Sequence, residues 1–355
     1  MKPTENRLIE WAITQTKTHY SNEVSLLLEH NTYCLEKDRH VRYVNTIISD
    51  AEPRINLART FIIDGIGYDF NQVSWKSFEN DANVKGYYLT VLAEANIIYA
   101  KNEAEKQRFL YLRAKLMANL ANPAYMYERG LEWIGTTMDV YKNMMFNDNL
   151  LSTRKAAGFI ADYLGMAVAS FNQTYFRDYG QLKDLQKMAH LPDNFIDRYM
   201  LVASETSIPK LREICHEIIS ITRDFFAAND KRKPDKLHNY QHLSGYTTTS
   251  PDYQYLADWY QECCYYFRRI YYFCTQNDAH LAFKGMFGIQ SDLDELTKEY
   301  DLPDLDVLVH FDIDNLNLLA EKLKLAEKHI VNAITSNGIK IDAYVSVDEF
   351  IEKNT

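Results

Sequence analysis

Two regimes of hydrophobic spacing divide the chain. From about residue 82 onward, apolar residues recur at intervals of three and four, and the spacing predicts helices over 84–99, 102–121, 124–146, 149–176 and 206–228. The stretch 149–176 shows it most plainly, with Leu150, Ala157, Ile160, Leu164, Val168 and Phe171 on one face. Asn122-Pro123 and Asp148-Asn149 separate neighbouring helices. Residues 229–251 lose the period and gather proline, threonine and charge, as a linker does, and three more helices follow over 252–276, 278–300 and 312–336. Asn337-Gly338 closes the last of them as a C-cap. The first 80 residues read differently. A helix over 5–19 carries Leu8, Ile9, Ala12 and Ile13, and short apolar or alternating runs at 23–29, 41–47 and 60–73 predict three strands, with a short helix over 51–59. The expected fold class is α+β, predominantly helical. A small sheet domain (1–80) precedes a helical domain (81–230), a linker (231–251) and a second helical bundle (252–355), with no convincing internal repeat.

Composition supports the helical bias, because 12 glycines and 8 prolines in 355 residues are well under the usual roughly 7% and 5%. No run of about 18 uncharged apolar residues is present, so no membrane span is expected. The N-terminal residues carry charge where a signal peptide would be apolar, and five cysteines without a C-x-x-C pattern fit reduced thiols; the expected location is cytoplasmic. A net charge of −10 disfavours nucleic acid as a partner, leaving a small molecule or a nucleotide. Glycine-rich phosphate loops, dinucleotide fingerprints and the serine-hydrolase elbow are absent.

The third strand is the most informative stretch. Period two places Ile66, Tyr68 and Phe70 on one face and Gly65, Gly67, Asp69 and Asn71 on the other. Glycines inside a strand suit a backbone that something approaches closely, and two readings stay open: a ligand or metal beside Asp69, or a β-bulge with a solvated aspartate.

An N-terminal helix, strands ending in an aspartate, and a long helical block resemble the nucleotidyltransferase superfamily of the polymerase-beta type, particularly its kanamycin-like members. Leu89 to Lys101 resembles the segment after the family's catalytic sheet; Arg154-Lys155-Ala-Ala-Gly158 and Asn172-Gln-Thr-Tyr-Phe176 resemble its helical substrate domain. The likeness spans roughly residues 5–228. It implies transfer of a nucleoside monophosphate from an NTP to a small hydroxyl acceptor, with Mg²⁺ held by clustered carboxylates. Glu36, Asp38 and Asp69 are then the metal ligands, Asp69 and Glu128 the catalytic carboxylates, the latter as general base. Asn31 and Thr32 approach the phosphates from a turn after the first strand, and Arg154 and Lys155 open a helix that can meet phosphate. The chain departs from the family at Glu29-His-Asn-Thr32, where Gly-Ser is expected, and it has no Asp-x-Asp between residues 30 and 60. The alternative is therefore a catalytically degenerate helical protein that binds a ligand or regulates.

Two features outside the likeness carry weaker signals. Helix 252–276 interleaves ten aromatics with Arg268-Arg269, a pattern that stacks bases or, as the more ordinary reading, packs a core and an interdomain seam through Leu256, Trp259, Cys263, Phe267, Ile270 and Cys274. His238 and His242 have i,i+4 spacing within the linker but lack the glutamate of a zinc-protease motif.

Overall fold

The computed structural model describes residues 4–34, 39–177, 181–230, 251–300, 302–303 and 305–354, with side chains described throughout except at 31–45 and 181. Glu36, Asp38, His238 and His242 lie outside the described residues. Helices dominate, and two small sheets sit at the N-terminal end. No described helix is long and apolar enough to cross a membrane.

Helix α1 (Thr4–His19) leads into the antiparallel pair β1 (Leu26–Cys34) and β2 (Arg39–Ile48), with Leu26 opposite Ile48. The stretch expected as one strand over 60–73 is three: β3 (Thr60–Ile63), β4 (Ile66–Asp69) and β5 (Asn71–Val73). The cause is Asp64-Gly65, both at positive φ (50° and 66°), which turns β3 back onto β4 in a two-residue hairpin. β5 then runs parallel to β2, and α2 (Trp75–Ala82) follows, its first turn capped by the Ser74 hydroxyl. The short helix expected over 51–59 is absent.

The expected helix over 84–99 is also corrected. It divides into α3 (Thr90–Glu94) and β6 (Asn96–Ala100), which adds to the outer edge of β1. Ile97, Ile98 and Tyr99 suit a pleated surface, and pairing with β1 overrides their helical spacing. One sheet thus has the order β5-β2-β1-β6.

The longer helices fall close to their predicted bounds: α4 (Glu103–Leu120), α5 (Pro123–Met144), α6 (Leu150–Phe171), α9 (Ile208–Ala228), α10 (Tyr253–Thr275), α11 (Ala279–Glu299) and α12 (Leu316–Ser336). The separators noted in sequence are their N-caps, since Asn122 Oδ1 accepts from Tyr125 N and Asn149 Oδ1 from Ser152 N. Gly338 takes φ 76° after α12, as its C-cap role requires. The helical pattern missed α7 (Gln181–Leu185) and α8 (Phe195–Ser204). One buried cluster runs through α6, α8, α9, α10, α11 and α12, so the two helical segments share apolar packing. The expected stripe on α10 is part of it: Leu256, Phe267 and Ile270 are buried there.

The C-terminal segment returns to the N-terminal sheet. β7 (Ala343–Tyr344) pairs parallel with β3, giving a second sheet of order β4-β3-β7, and α13 (Val347–Asn354) sets Phe350 among Trp11, Phe61 and Phe70. Phe350 stacks on Phe61 at 4.2 Å and meets Trp11 edge-on at 5.0 Å.

Candidate functional site

Asp69 ends β4 opposite Thr60, and its carboxylate faces Arg54 at 3.7 Å. The glycines beside it do admit a close neighbour, and that neighbour is α10. A Cβ on Gly67 would stand 2.5 Å from the Gln261 carbonyl and 2.8 Å from Cys264 Sγ, and one on Gly65 would stand 2.5 Å from Arg268 Nη1. The buried Gln261 amide clamps the contact: Nε2 donates to Thr60 O (3.1 Å) and Thr60 Oγ1 (3.0 Å), while Oε1 accepts from Asp342 N (2.6 Å). The space beside the glycines, open in sequence to a ligand or to a bulge, is thus filled by backbone and side chains of α10. Among the described residues, no group of three His, Cys, Asp or Glu side chains is arranged to hold a metal.

Burial, with the nearby Glu262 carboxylate second and Arg54 opposing, raises the Asp69 pKa to about 7. The native state therefore keeps a proton that the unfolded chain releases near pH 4. This contribution to stability is present below about pH 4 and is lost as pH rises through about 7. Asp69→Asn should flatten the decline and make the variant the more stable form above pH 7. Urea midpoints from pH 5 to 8.5 test it, and parallel curves for both proteins would refute it.

Among the described residues, the other sequence candidates do not gather around Asp69. Asn31 and Thr32 lie within β1, opposite Arg42 and Val41, rather than in a turn, because the strand runs on to Cys34. Glu128 is half-buried on α5 beside Arg129, in a helix packed on α4, α6 and α9. Arg154, expected at a phosphate, is 1% exposed and donates through Nη1 to the carbonyls of Phe311 (2.8 Å) and Leu308 (3.3 Å). Its guanidinium joins α6 to the 3-10 turn Val307–His310 and lies over the Phe311 ring, leaving no face for a ligand. Lys155 pairs with Asp294 of α11.

Sequence reasoning missed a polar junction elsewhere. Asp162, buried on α6, accepts from Lys284 Nζ of α11 at 2.6 Å and from the Tyr87 hydroxyl of the segment before α3. The available signal was a single carboxylate in the otherwise apolar middle of helix 150–171.

An open cleft of about 690 Å³ lies at the carboxyl ends of the parallel strands β2 and β5. Ser49, Asp50, Glu52, Arg54, Asn71, Ser74 and Ser77 contribute its polar lining. No family model, curated protein or solved structure matches the chain. The cleft's own construction must therefore speak for it. Gln72 fixes the loop 49–55, donating to Ala51 O (2.8 Å) and accepting from Ile55 N (2.9 Å). Asp50 Oδ1 accepts from Trp75 N at 3.0 Å, so a carboxylate already occupies the start of α2. The side chains of Glu52 and Asn71 line the cleft without a side-chain hydrogen bond among the described residues.

Proposed function

We propose that the chain is a ligand-binding protein on a nucleotidyltransferase-like frame, holding a hydroxyl-rich small molecule such as a nucleoside or a sugar. The observation that carries this reading is the polar cleft at the carboxyl ends of β2 and β5, where α/β sheets commonly hold their ligands. Asp50 and Glu52 can accept from neighbouring hydroxyls, while Arg54 and Asn71 can donate. Two acids against one base suit a neutral ligand better than a bare polyphosphate. The helix, sheet and helical-block order fits the frame, and the packing of α10 against Gly65 and Gly67 beside Asp69 favours binding over metal-dependent transfer.

Thermal unfolding with nucleosides, neutral sugars and the four NTPs, each with and without Mg²⁺, tests the reading. A bound nucleoside or sugar at a hundredfold excess over its Kd should add about 2.7 kcal/mol. Glu52→Gln combined with Asn71→Ala should remove that gain. No shift with any compound overturns the cleft as a site, and Mg²⁺-dependent release of pyrophosphate from an NTP overturns binding without transfer.

A further inference from the structure

Among the described residues that line the cleft, Arg54 is the one cation. The protein holds it from several sides. Gln72 pins the backbone on either flank, at Ala51 O and Ile55 N, and Ile55 is itself buried. The guanidinium is held from behind: Nη2 donates to Phe70 O at 3.5 Å and stands 3.7 Å from Asp69 Oδ1. That carboxylate oxygen is buried and accepts no hydrogen bond among the described residues, so Arg54 is the charge that compensates it. Glu262 of α10, whose carbonyl oxygen would lie 3.3 Å from a Cβ placed on Gly67, adds a second carboxylate to the same neighbourhood. Burial raises its pKa, and Arg54 opposes the rise. Two acids behind the cleft thus share one guanidinium. Its Nε and Nη1 make no hydrogen bond among the described residues, and the side chain remains 51% exposed in the lining of the cleft.

We propose that Asp69 is a positioning residue for the ligand cleft: its carboxylate holds the Arg54 guanidinium from behind, so that the free N–H groups donate to an oxygen acceptor of the bound molecule. This role rests on the reading of the cleft as a site for a nucleoside or sugar. A solvated arginine gives up much rotamer freedom when it orders on a ligand, and one already held by its neighbours gives up less. Asp69 touches no ligand in this arrangement; it acts through Arg54 alone. The aspartate that resembles a metal ligand in sequence thereby has a role that requires no metal.

Two readouts on the full chain at about pH 8, where the Asp69 carboxyl is largely ionised, test the proposal. The first needs no ligand. Phenylglyoxal modifies accessible guanidinium groups, and mass mapping should show Arg54 reacting about two- to fivefold faster in Asp69→Asn than in the wild type. Arg223, exposed on α9, should react alike in both. The second is calorimetric titration with adenosine, guanosine, cytidine, uridine and glucose. Asp69→Asn should weaken the compound that binds by about two- to fivefold, and Arg54→Gln should be as weak alone as when combined with Asp69→Asn. A merely structural Asp69 would instead add its loss in both backgrounds. An Arg54 modification rate unmoved by Asp69→Asn, or losses that add in the double variant, would overturn the role of Asp69 while leaving the cleft as a site. No binding of any of the five compounds to the wild type would overturn the cleft, and the role of Asp69 with it.

Discussion

Phe350→Ala should destabilise the protein by about 3–5 kcal/mol, a large fraction of the roughly 5–15 kcal/mol that a native domain has. The ring is fully buried and touches three elements at once: Phe61 of β3 and Trp11 of α1 by ring contact, and Tyr344 of β7 at 5.2 Å. The Arg59 guanidinium also lies over it at 5.3 Å. Truncation leaves a void among side chains that belong to the N-terminal core, so the loss should register there first. Urea unfolding followed by Trp11 environment and by far-UV ellipticity should show the N-terminal transition shifting ahead of the helical one. A variant that melts with the wild-type midpoint would show that α13 only rests on that core.

Asp162→Ala should cost about 3–5 kcal/mol as well, for a different reason. It leaves the Lys284 ammonium, 17% exposed, and the Tyr87 hydroxyl without their common acceptor. The double variant Asp162→Leu/Lys284→Met should recover most of the loss, because a buried pair replaced by apolar groups can be nearly neutral, whereas one charge left alone is not. Denaturant midpoints of the two single variants and the double give the coupling. A loss below about 1 kcal/mol for Asp162→Ala would place the pair in effectively solvated surroundings.

Helices whose burial stripe comes from their own periodicity were legible in sequence, and so were the asparagines that cap them. Ile97 to Tyr99 were not, since strand formation there depends on β1, about 70 residues earlier. The hairpin at Asp64-Gly65 was legible in principle, as an Asp-Gly pair between apolar runs, but the alternating pattern carries straight through it. At the site level, glycine spacing around Asp69 correctly signalled a close approach. It could not say that the visitor was α10, because Gln261 and Gly67 are distant in sequence. Arg154 shows the opposite failure. A basic residue in a helix's first turns reads as surface or phosphate-binding, and only the carbonyls of Leu308 and Phe311 reveal a buried role.

The pairing of β3 with β7 joins residues about 280 positions apart, Ile62 with Ala343. On the ribosome, the sheet that holds Asp69 must wait, one edge open, while the whole helical block is synthesised. Helices with local contacts form fast, and strands closed over long loops form slowly. The unfinished β3 edge is therefore where a nascent chain would need shielding from its neighbours, and where the order of synthesis and the order of folding part company.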